Sequence, residues 1–359
     1  MAFLLFFMGF HVGWVPSAKL EPILKLASLP EDGDFFLQAP QQVSVDENGR
    51  FFVLDVESYA VFIWKSDGSY LEKFGKQGQG PGEFVFSGRR GGAQGYMAIQ
   101  NGKVFIFDPA KREILTFSAK DYAFLGSAPF QLSRGRPEYC VALPNDQFLV
   151  YYRQFSEEGV VRHVGIFNSE GKLEKPLQSF EDETFRMSPG SGRDRSITLK
   201  AFAANPVVSF DAKLDQVIIG DPSASQFGLF DRTGKKIKTV KFQMPRSEVT
   251  KKDIDEYNEQ PFIKNSNRVT AEFPEFKAYY DQILPLKEGG YLVFNRSPFY
   301  RTAEGIAIDG EGNLLGKFMV KCGENGDLVG NSGRLFGIFT DDEGEFTLQE
   351  LQVVTKPNS

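Results

Sequence analysis

The stretch PQQVSVDENGRFFVLDVESYAVFIWKSDGSYLEKFG, residues 40–75, decides the fold of this chain. Apolar residues recur along it in four short runs, at Val43, Val45, Phe52, Val53, Val61, Ile63, Leu71 and Phe74. Turns rich in Asp, Asn and Gly separate the runs at residues 46–49 and 66–68. Short apolar runs bounded by such turns are typical of β-hairpins. The stretch therefore predicts four consecutive antiparallel strands.

The same pattern recurs, with drifting sequence, in units that begin near residues 40, 96, 139, 206, 281 and 326. A single unit of this kind cannot bury both faces of its sheet, and a radial array of four-stranded sheets is a β-propeller. The last unit contains about three strands before the chain ends. We expect residues 23–29 to supply its fourth strand and close the ring, because closure removes an exposed sheet edge. The predicted fold is an all-β, six-bladed β-propeller that forms one domain, residues 19–359.

The distance between two turns aligns the units with one another. In three units, the residue that ends the second strand (Asp55, Asp108 or Asp221) lies thirteen residues before the turn that joins the third and fourth strands. The distance is eighteen residues from Arg153 and seventeen from Asn295. We expect the extra residues to lie in the connection between the second and third strands.

Composition and charge limit the kinds of molecule that this protein is expected to bind. The chain has 359 residues, of which 41% are hydrophobic and 14% aromatic, an inventory suited to a large β domain. Its net charge is −6 and its pI about 5.3, which argues against bulk electrostatic attraction to nucleic acid or to an anionic membrane.

Residues 1–18, MAFLLFFMGFHVGWVPSA, are apolar and uncharged and end in small residues. This pattern predicts a signal peptide that is cleaved near Ser17 or Ala18, although a basic segment in front of it is missing. The stretch is shorter than the roughly 20 residues of a membrane-spanning helix. We expect an exported protein, periplasmic or extracellular, without a membrane span.

Residues 40–75, together with the following GKQGQGPGEF (residues 75–84), resemble the NHL-repeat six-bladed propellers, especially exported bacterial members. The resemblance is closest over residues 40–84, weaker in the second and fourth units and slight elsewhere. It implies the fold rather than an activity, because this fold is found in binding proteins and enzymes alike.

The strands of a propeller blade run alternately up and down, so the connections divide between two faces. The turn face carries the connections between strands one and two and between strands three and four, which are short Asn/Asp/Gly turns with little room for a ligand. The loop face carries the connections between strands two and three and the links between blades. Nearly all insertions belong to the loop face, at residues 75–92, 126–137, 155–159, 180–205, 245–280 and 296–304. We expect any function there. Within 245–280 the sequence TKKD (residues 250–253) predicts a capping box and a short helix.

Arginine is concentrated on the loop face, where we place 13 of the 17 arginines: Arg89, Arg90, Arg112, Arg134, Arg136, Arg153, Arg186, Arg193, Arg195, Arg246, Arg268, Arg296 and Arg301. Arginine presents a planar fork of donors suited to carboxylate or phosphate. The predicted binding residues are Arg89, Arg90, Arg134, Arg136, Arg193, Arg195, Arg296, Tyr300 and Arg301, for an anionic peptide, glycan or small molecule. The alternative is that these arginines pair with loop acids such as Glu83, Glu181, Asp182, Glu183 and Asp194 and hold the loops in place.

The sequence supports an enzymatic function less well than a binding function. The chain has two histidines, His11 in the predicted signal peptide and His163 on a predicted strand, so a histidine metal cluster is excluded and a catalytic triad is disfavoured. Cys140 and Cys322 fall in units that should not be adjacent, so we expect no disulfide.

We predict a monomeric binding propeller without catalytic residues, cofactor or metal. The alternative is a calcium-dependent hydrolase or lyase with Ca²⁺ in the channel, held by Asp55, Asp108, Asp221 or Asn295, although such residues more often cap turns. Paired-carboxylate glycosidase chemistry also stays open, because its two acids are defined by spatial separation.

Overall fold

The computed structural model describes residues 17–29, 36–86, 94–132, 135–155, 160–182, 184–188, 196–297, 302–323 and 326–355. Their strands form six four-stranded antiparallel sheets and one smaller sheet of three strands. The predicted all-β, six-bladed propeller is confirmed.

The first half of the chain contains one separate strand and three blades. The first strand is β1 (Ala18–Lys25). Blade 1 contains β2 (Pro40–Val45), β3 (Phe51–Asp55), β4 (Ala60–Trp64) and β5 (Tyr70–Phe74). Blade 2 contains β6 (Tyr96–Gln100), β7 (Lys103–Asp108), β8 (Glu113–Ser118) and β9 (Phe124–Pro129). Blade 3 contains β10 (Gly135–Leu143), β11 (Gln147–Phe155), β12 (Val160–Asn168) and β13 (Leu173–Glu181).

The second half adds elements in two links between blades. The link after blade 3 contains β14 (Phe185–Met187) and β15 (Ile197–Lys200). Blade 4 contains β16 (Val207–Asp211), β17 (Gln216–Gly220), β18 (Gln226–Phe230) and β19 (Lys236–Lys241). The next link contains α1 (Lys251–Asn258), α2 (Pro261–Lys264) and β20 (Val269–Glu272). Blade 5 contains β21 (Gln282–Pro285), β22 (Tyr291–Ser297), β23 (Thr302–Ile308) and β24 (Leu314–Lys321). Blade 6 contains β25 (Asp327–Asn331), β26 (Arg334–Thr340) and β27 (Phe346–Thr355), and β1 completes it.

The first strands of the blades form a closed ring around a central channel. Contacts between neighbouring first strands run in the order β2, β6, β10, β16, β21, β25 and back to β2. The apolar core lies between the blades, where aromatic rings fill the wedge. Phe148 of blade 3, for example, packs edge-on against Phe105 and Phe107 of blade 2 at 4.9 Å between ring centroids.

The ring closes with an N-terminal strand, as predicted, but the strand lies earlier in the sequence than predicted. β1 pairs antiparallel with β27, from Ala18 opposite Thr355 to Lys25 opposite Gln349. The predicted residues 23–29 overlap this strand only at 23–25, because the Leu26 N–H makes the last bond to β27, to the Leu348 carbonyl at 3.0 Å, before the chain turns toward blade 1. The Leu26 side chain packs into the core between blades 6 and 1, and the Ala27 N–H donates to the Gly68 carbonyl of blade 1 at 2.8 Å. Residues 26 and 27 therefore tie the last blade to the first.

The extra residues of blades 3 and 5 lengthen strands. β11 and β12 pair over nine rungs, from Gln147 opposite Asn168 to Phe155 opposite Val160. β22 and β23 likewise pair up to Ser297 opposite Thr302. The expectation that all these residues lie in the connecting loop was wrong, because pairing satisfies backbone groups that a loop would leave to solvent. The blade 3 hairpin therefore extends further toward the loop face than the hairpin of blade 1.

The two long links meet next to blade 4, where their strands form the three-stranded sheet β14-β15-β20. β15 pairs in parallel with β20, which joins the link after blade 3 to the link after blade 4. The predicted helix is confirmed as α1: Thr250 is its N-cap, and the Asp253 side chain accepts from the Thr250 N–H at 2.9 Å, completing the capping box. Neither helix of the described residues combines the length and apolar character that crossing a membrane requires.

Candidate functional site

The structure describes two of the nine predicted binding residues, Arg136 on β10 and Arg296 on β22. The other seven lie outside the described residues: Arg89, Arg90, Arg134, Arg193, Arg195, Tyr300 and Arg301. The described charged groups of the loop face therefore centre on Arg136, Arg296 and their neighbours.

The aspartates that end the second strands bind backbone N–H groups. The Asp55 carboxylate accepts from the N–H groups of Gln38, Ala39 and Ser58 at 2.7 to 3.1 Å. Asp108 accepts from Val85 at 2.7 Å and from Lys111 at 3.1 Å. Each of these two carboxylates thus accepts hydrogen bonds both from the link that precedes its blade and from the turn that follows its own strand.

The capping interpretation also fits the other two positions. Asp221 accepts from the Ser223 N–H at 3.0 Å, and the Asn295 amide donates to the Tyr279 carbonyl at 2.8 Å. Within the described ranges, no group of three or more His, Cys, Asp or Glu side chains comes together in a way that could hold a metal ion. All four side chains thus hydrogen-bond to backbone groups, the three aspartates as acceptors from N–H groups and Asn295 as a donor to a carbonyl.

Cysteine and histidine hold structural positions. Cys140 and Cys322 are both buried and free. The His163 ring lies on β12 and stacks on Tyr152 at 5.0 Å between centroids, and its Nδ1 is 2.8 Å from Ser179 Oγ. These contacts place His163 on the strand as predicted.

Three arginines form a row across blade 3 at the loop-face end. Arg136 on β10 lies opposite Arg153 on β11, which lies opposite Arg162 on β12. Like charges directly opposite one another on a sheet are destabilising. Two acids, Glu138 on β10 and Asp182 just after β13, offset that repulsion.

Arg162 lies at the centre of this network and is only 5% exposed. Its Nε donates to Asp182 Oδ2 at 3.0 Å and its Nη1 to the Tyr151 hydroxyl at 3.2 Å, with a further hydrogen bond to Asn205. Burial acts to lower the pKa of Arg162, but the charges of Glu138 and Asp182 and the neighbouring Tyr151 outweigh burial and raise it. Arg162 is therefore a buried cation held by surrounding acceptors.

Arg153 and Arg136 differ in the partners that their guanidinium groups have. Arg153 forms an ion pair with Glu138 and lies 3.9 Å from Asp182. Arg136 is half-buried, and its Nη2 donates to Gln94 Oε1 at 2.8 Å, its one side-chain partner among the described residues. The three arginines and two acids sum to a charge of +1, and Arg136 carries the donors that this network does not use.

Arg162, Glu138 and Gln94 were missed in the sequence. Arg153 and Arg162 stand symmetrically about residues 156–159, so treating the whole stretch as one long hairpin would have aligned them. Nothing local to Glu138 or Gln94 indicates their roles, because their partners are far along the chain.

Arg296 belongs to a second charged group, at the start of blades 5 and 6. Its Nη1 lies 2.6 Å from Asp327 Oδ2, and its Nε 3.8 Å from Asp281 Oδ1. Its backbone N–H also donates to both Asp281 carboxylate oxygens at 3.1 Å. One arginine between two aspartates gives this group a charge of −1 when all three are ionised. The Arg296 guanidinium is thus already engaged by acids of its own chain.

Other loop-face arginines also hold the chain together. Arg112 donates to the Leu132 carbonyl, and Arg246 donates to the Lys277 carbonyl at 2.8 Å while lying over the rings of Phe276 and Tyr279. These two arginines hold loop-face links in place through backbone carbonyls, and not through the loop acids that the alternative named.

Asp281 yields a prediction about pH. Desolvation inside the molecule raises its pKa to about 6 from 3.8, against the opposing effect of Arg296, although 41% of its side chain remains accessible. A pKa raised in the folded state means that the contribution of the group to stability is complete below pH 4 and is lost as the pH rises through about 6. Relative to Asp281→Asn, we expect the wild-type protein to lose stability between pH 4 and 6, measured by urea unfolding.

The matched control for this measurement is Asp231→Asn, on the turn face. A hydrogen bond from Thr233 lowers the pKa of Asp231, so its contribution changes below pH 4. The difference between wild type and Asp231→Asn should be flat from pH 4 to 6. A flat Asp281→Asn difference over the same range would contradict the raised pKa.

The turn face contains a cavity, contrary to the expectation that it offers little room. The cavity has a volume of about 660 Å³ and is bounded by the first turns of blades 1, 2, 3, 4 and 6. Its lining includes Asn48, Asn101, Pro144, Ala212 and Ser332. The expectation was wrong because each turn is short, but the turns of several blades surround one space at the end of the channel.

Comparisons with known proteins support this architecture. The model of the DUF5128 family, described as a 6-bladed beta-propeller, matches residues 28–187. An exported protein from Bacteroides fragilis NCTC 9343 has a similar solved structure, with a TM-score of 0.59, 11% identity and coverage of 94% of this chain and 95% of that one. A member of the DUF4221 family from Bacteroides vulgatus ATCC 8482 gives a TM-score of 0.54 at 10% identity, covering 95% and 99%.

A calcium-binding regucalcin from Agrobacterium tumefaciens str. C58 is more distant, with a TM-score of 0.47, 10% identity and coverage of 89% and 92%. A comparison with curated protein sequences gives no match. Identities near 10% show the fold alone. The resemblance to NHL-repeat propellers stays a prediction, and what the comparisons establish is that this chain is a six-bladed β-propeller whose residues 28–187 match the DUF5128 family model.

Proposed function

We propose that this protein is an exported, monomeric binding propeller without catalytic activity, and that its loop face takes an anionic partner at blade 3. The observation that carries the proposal is the row Arg136, Arg153 and Arg162, whose three charges face two acids, Glu138 and Asp182, within the described part of the chain. A local excess of positive charge matters in a chain of net charge −6, because it marks the place where an anion is attracted.

Arg136 is the contact residue in this proposal. It lies near the loop-face end of β10, the first strand of blade 3, and so borders the central channel. A guanidinium with unused donors can form paired hydrogen bonds to a carboxylate or a phosphate. An acidic peptide segment, a carboxylated glycan and a phosphorylated molecule all present such groups.

The remaining predicted binding residues divide into two sets. By sequence position, Arg134, Arg193 and Arg195 fall in the links on either side of blade 3, and Arg89 and Arg90 fall in the link between blades 1 and 2; we assign all five to the proposed anion site. Arg296 is placed differently, because Asp281 and Asp327 engage its guanidinium. We assign Arg296 to holding the rim of blades 5 and 6, and Tyr300 and Arg301, which follow it in sequence, stay predicted binding residues.

Binding of three anionic probes tests the proposal: a poly-glutamate peptide, polygalacturonate and inositol hexakisphosphate, with dextran as the uncharged control. Isothermal titration calorimetry at low salt should detect at least one anion and no dextran. Arg136→Gln should weaken that binding about tenfold or more, since a hydrogen bond to a charged group contributes roughly 1.5–3 kcal/mol. The double variants Arg89→Gln with Arg90→Gln, and Arg193→Gln with Arg195→Gln, should abolish it.

Arg232→Gln is the matched control, because Arg232 lies on the turn face, where it pairs with Asp215 at 3.1 Å. It changes the net charge by the same amount and should leave anion binding within twofold. Equal loss in Arg136→Gln and Arg232→Gln would show a nonspecific charge effect and contradict the proposed site. A rise in melting temperature on adding CaCl₂ would instead favour a calcium-dependent hydrolase or lyase.

A further inference from the structure

The cavity at the turn face has rigid walls. On its rim, Asn101 and Gly102 form the two-residue turn between β6 and β7, and both have positive φ, 50° and 68°. Ser332 and Gly333 form the same kind of turn between β25 and β26, with φ of 50° and 79°. Positive φ at both residues is the geometry of tight hairpins whose twist matches the strands. The rim is therefore built from tight turns with a defined backbone geometry.

The charges of the lining cancel. Asp46 and Glu47 oppose Arg50 and Lys120, so the four charged residues sum to zero. Each nitrogen of the Arg50 guanidinium is already engaged, because Nε donates to Asp46 at 2.8 Å, Nη1 to the Tyr122 hydroxyl at 2.9 Å and Nη2 to the Ala119 carbonyl at 2.6 Å. The cavity thus has no excess charge with which to recognise an ion.

The uncharged part of the lining combines an apolar surface with groups that both donate and accept. Val45, Ile99, Ala142 and Phe210 supply the apolar surface. The Gln100 amide donates to the Gln147 carbonyl at 3.3 Å, and the Asn101 amide donates to Asp146 at 2.7 Å. These two bonds use amide nitrogens, so the amide oxygens of both residues remain as acceptors among the described residues.

We propose that this cavity is a second ligand site, distinct from the anion site on the loop face, and that it takes an uncharged, hydroxyl-rich molecule the size of a short saccharide. Hydroxyl groups donate to the amide oxygens of Gln100 and Asn101 and accept from the Asn48 amide and the Ser332 hydroxyl. The carbon–hydrogen face of a sugar ring packs on the apolar surface. A volume of about 660 Å³ lies in the range that ligand sites occupy.

Saturation-transfer NMR tests this site with neutral maltotriose, cellotriose and N-acetylchitotriose, and with trigalacturonate and chitotriose as charged counterparts. We expect transfer to at least one neutral trisaccharide at millimolar concentration and less to its charged counterpart. Ala212→Trp fills the cavity from its rim and should reduce the transfer at least tenfold. Since Ala212 is an exposed turn residue, the variant is expected to fold.

Leu214→Trp is the matched control, because Leu214 lies in the same turn, is 51% exposed and does not line the cavity. It should bind the saccharide as the wild type does, and so should Arg136→Gln, which separates this site from the proposed anion site. Absence of transfer to all three neutral probes, equal transfer in Ala212→Trp, or preference for a charged probe would each overturn the proposal.

Discussion

Replacement of Arg162 by Met is expected to lower the free energy of unfolding by about 3–5 kcal/mol, since removing one partner leaves a buried charge uncompensated. The Asp182 side chain has 0% exposure, and it would keep its negative charge while losing the Arg162 Nε at 3.0 Å. Glu138 would keep Arg153 as its partner. Urea unfolding monitored by tryptophan fluorescence measures the loss.

Two further variants make the Arg162 result specific. Arg268→Met, at an exposed position between α2 and β20, removes the same charge and should change the free energy of unfolding by less than about 0.5 kcal/mol. The double variant Arg162→Met with Asp182→Asn should recover part of the loss, because it removes both buried charges. If Arg162→Met costs no more than Arg268→Met, the network does not stabilise the fold.

The second large effect is expected at Asp108, which is 1% exposed and accepts from four backbone N–H groups, those of Val85, Phe86, Ala110 and Lys111. Asp108→Ala leaves these donors without their acceptor, at an expected cost of about 3–5 kcal/mol, because an unsatisfied buried donor costs roughly 1–3 kcal/mol. Asp108→Asn keeps one acceptor oxygen and should cost less than Asp108→Ala. Urea unfolding of both variants checks this order.

Asp121→Ala is the control for Asp108, since Asp121 is exposed in a turn of the same blade. We expect a smaller loss there than for either Asp108 variant. The same samples separate the capping role from a metal role. Calcium should leave the melting temperature of wild type and of Asp108→Ala unchanged, whereas stabilisation of wild type alone would assign Asp108 to a metal site.

Local sequence was sufficient for the blades and their caps. The Asn/Asp-Gly turns and short apolar runs of residues 40–75 predicted four strands, which the structure shows as β2 to β5. The TKKD sequence predicted the capping box of α1, and the recurrent aspartate predicted a cap at Asp55 and Asp108. These features depend on residues within a few positions of one another, where backbone geometry decides the outcome.

Features that join distant parts of the chain were predicted less well. Residues 18–25 rather than 23–29 close the ring, because the register of β1 against β27 is decided by which side chains fit between blades 5, 6 and 1. The row of Arg136, Arg153 and Arg162 required the extended pairing of blade 3, which lengthens a hairpin that sequence spacing assigned to a loop.

The printed sequence alone therefore determined a ring of six four-stranded sheets, since each blade is specified by its own turns and strand periodicity. Only the tertiary structure decided that Arg296 is engaged by Asp281 and Asp327, whereas Arg136 has Gln94 as its side-chain partner among the described residues. It also decided that short turns enclose a cavity on the face expected to be plain. The physical reason is that charge compensation and enclosed volume depend on distances between blades, and the spacing of residues along one blade carries no information about them.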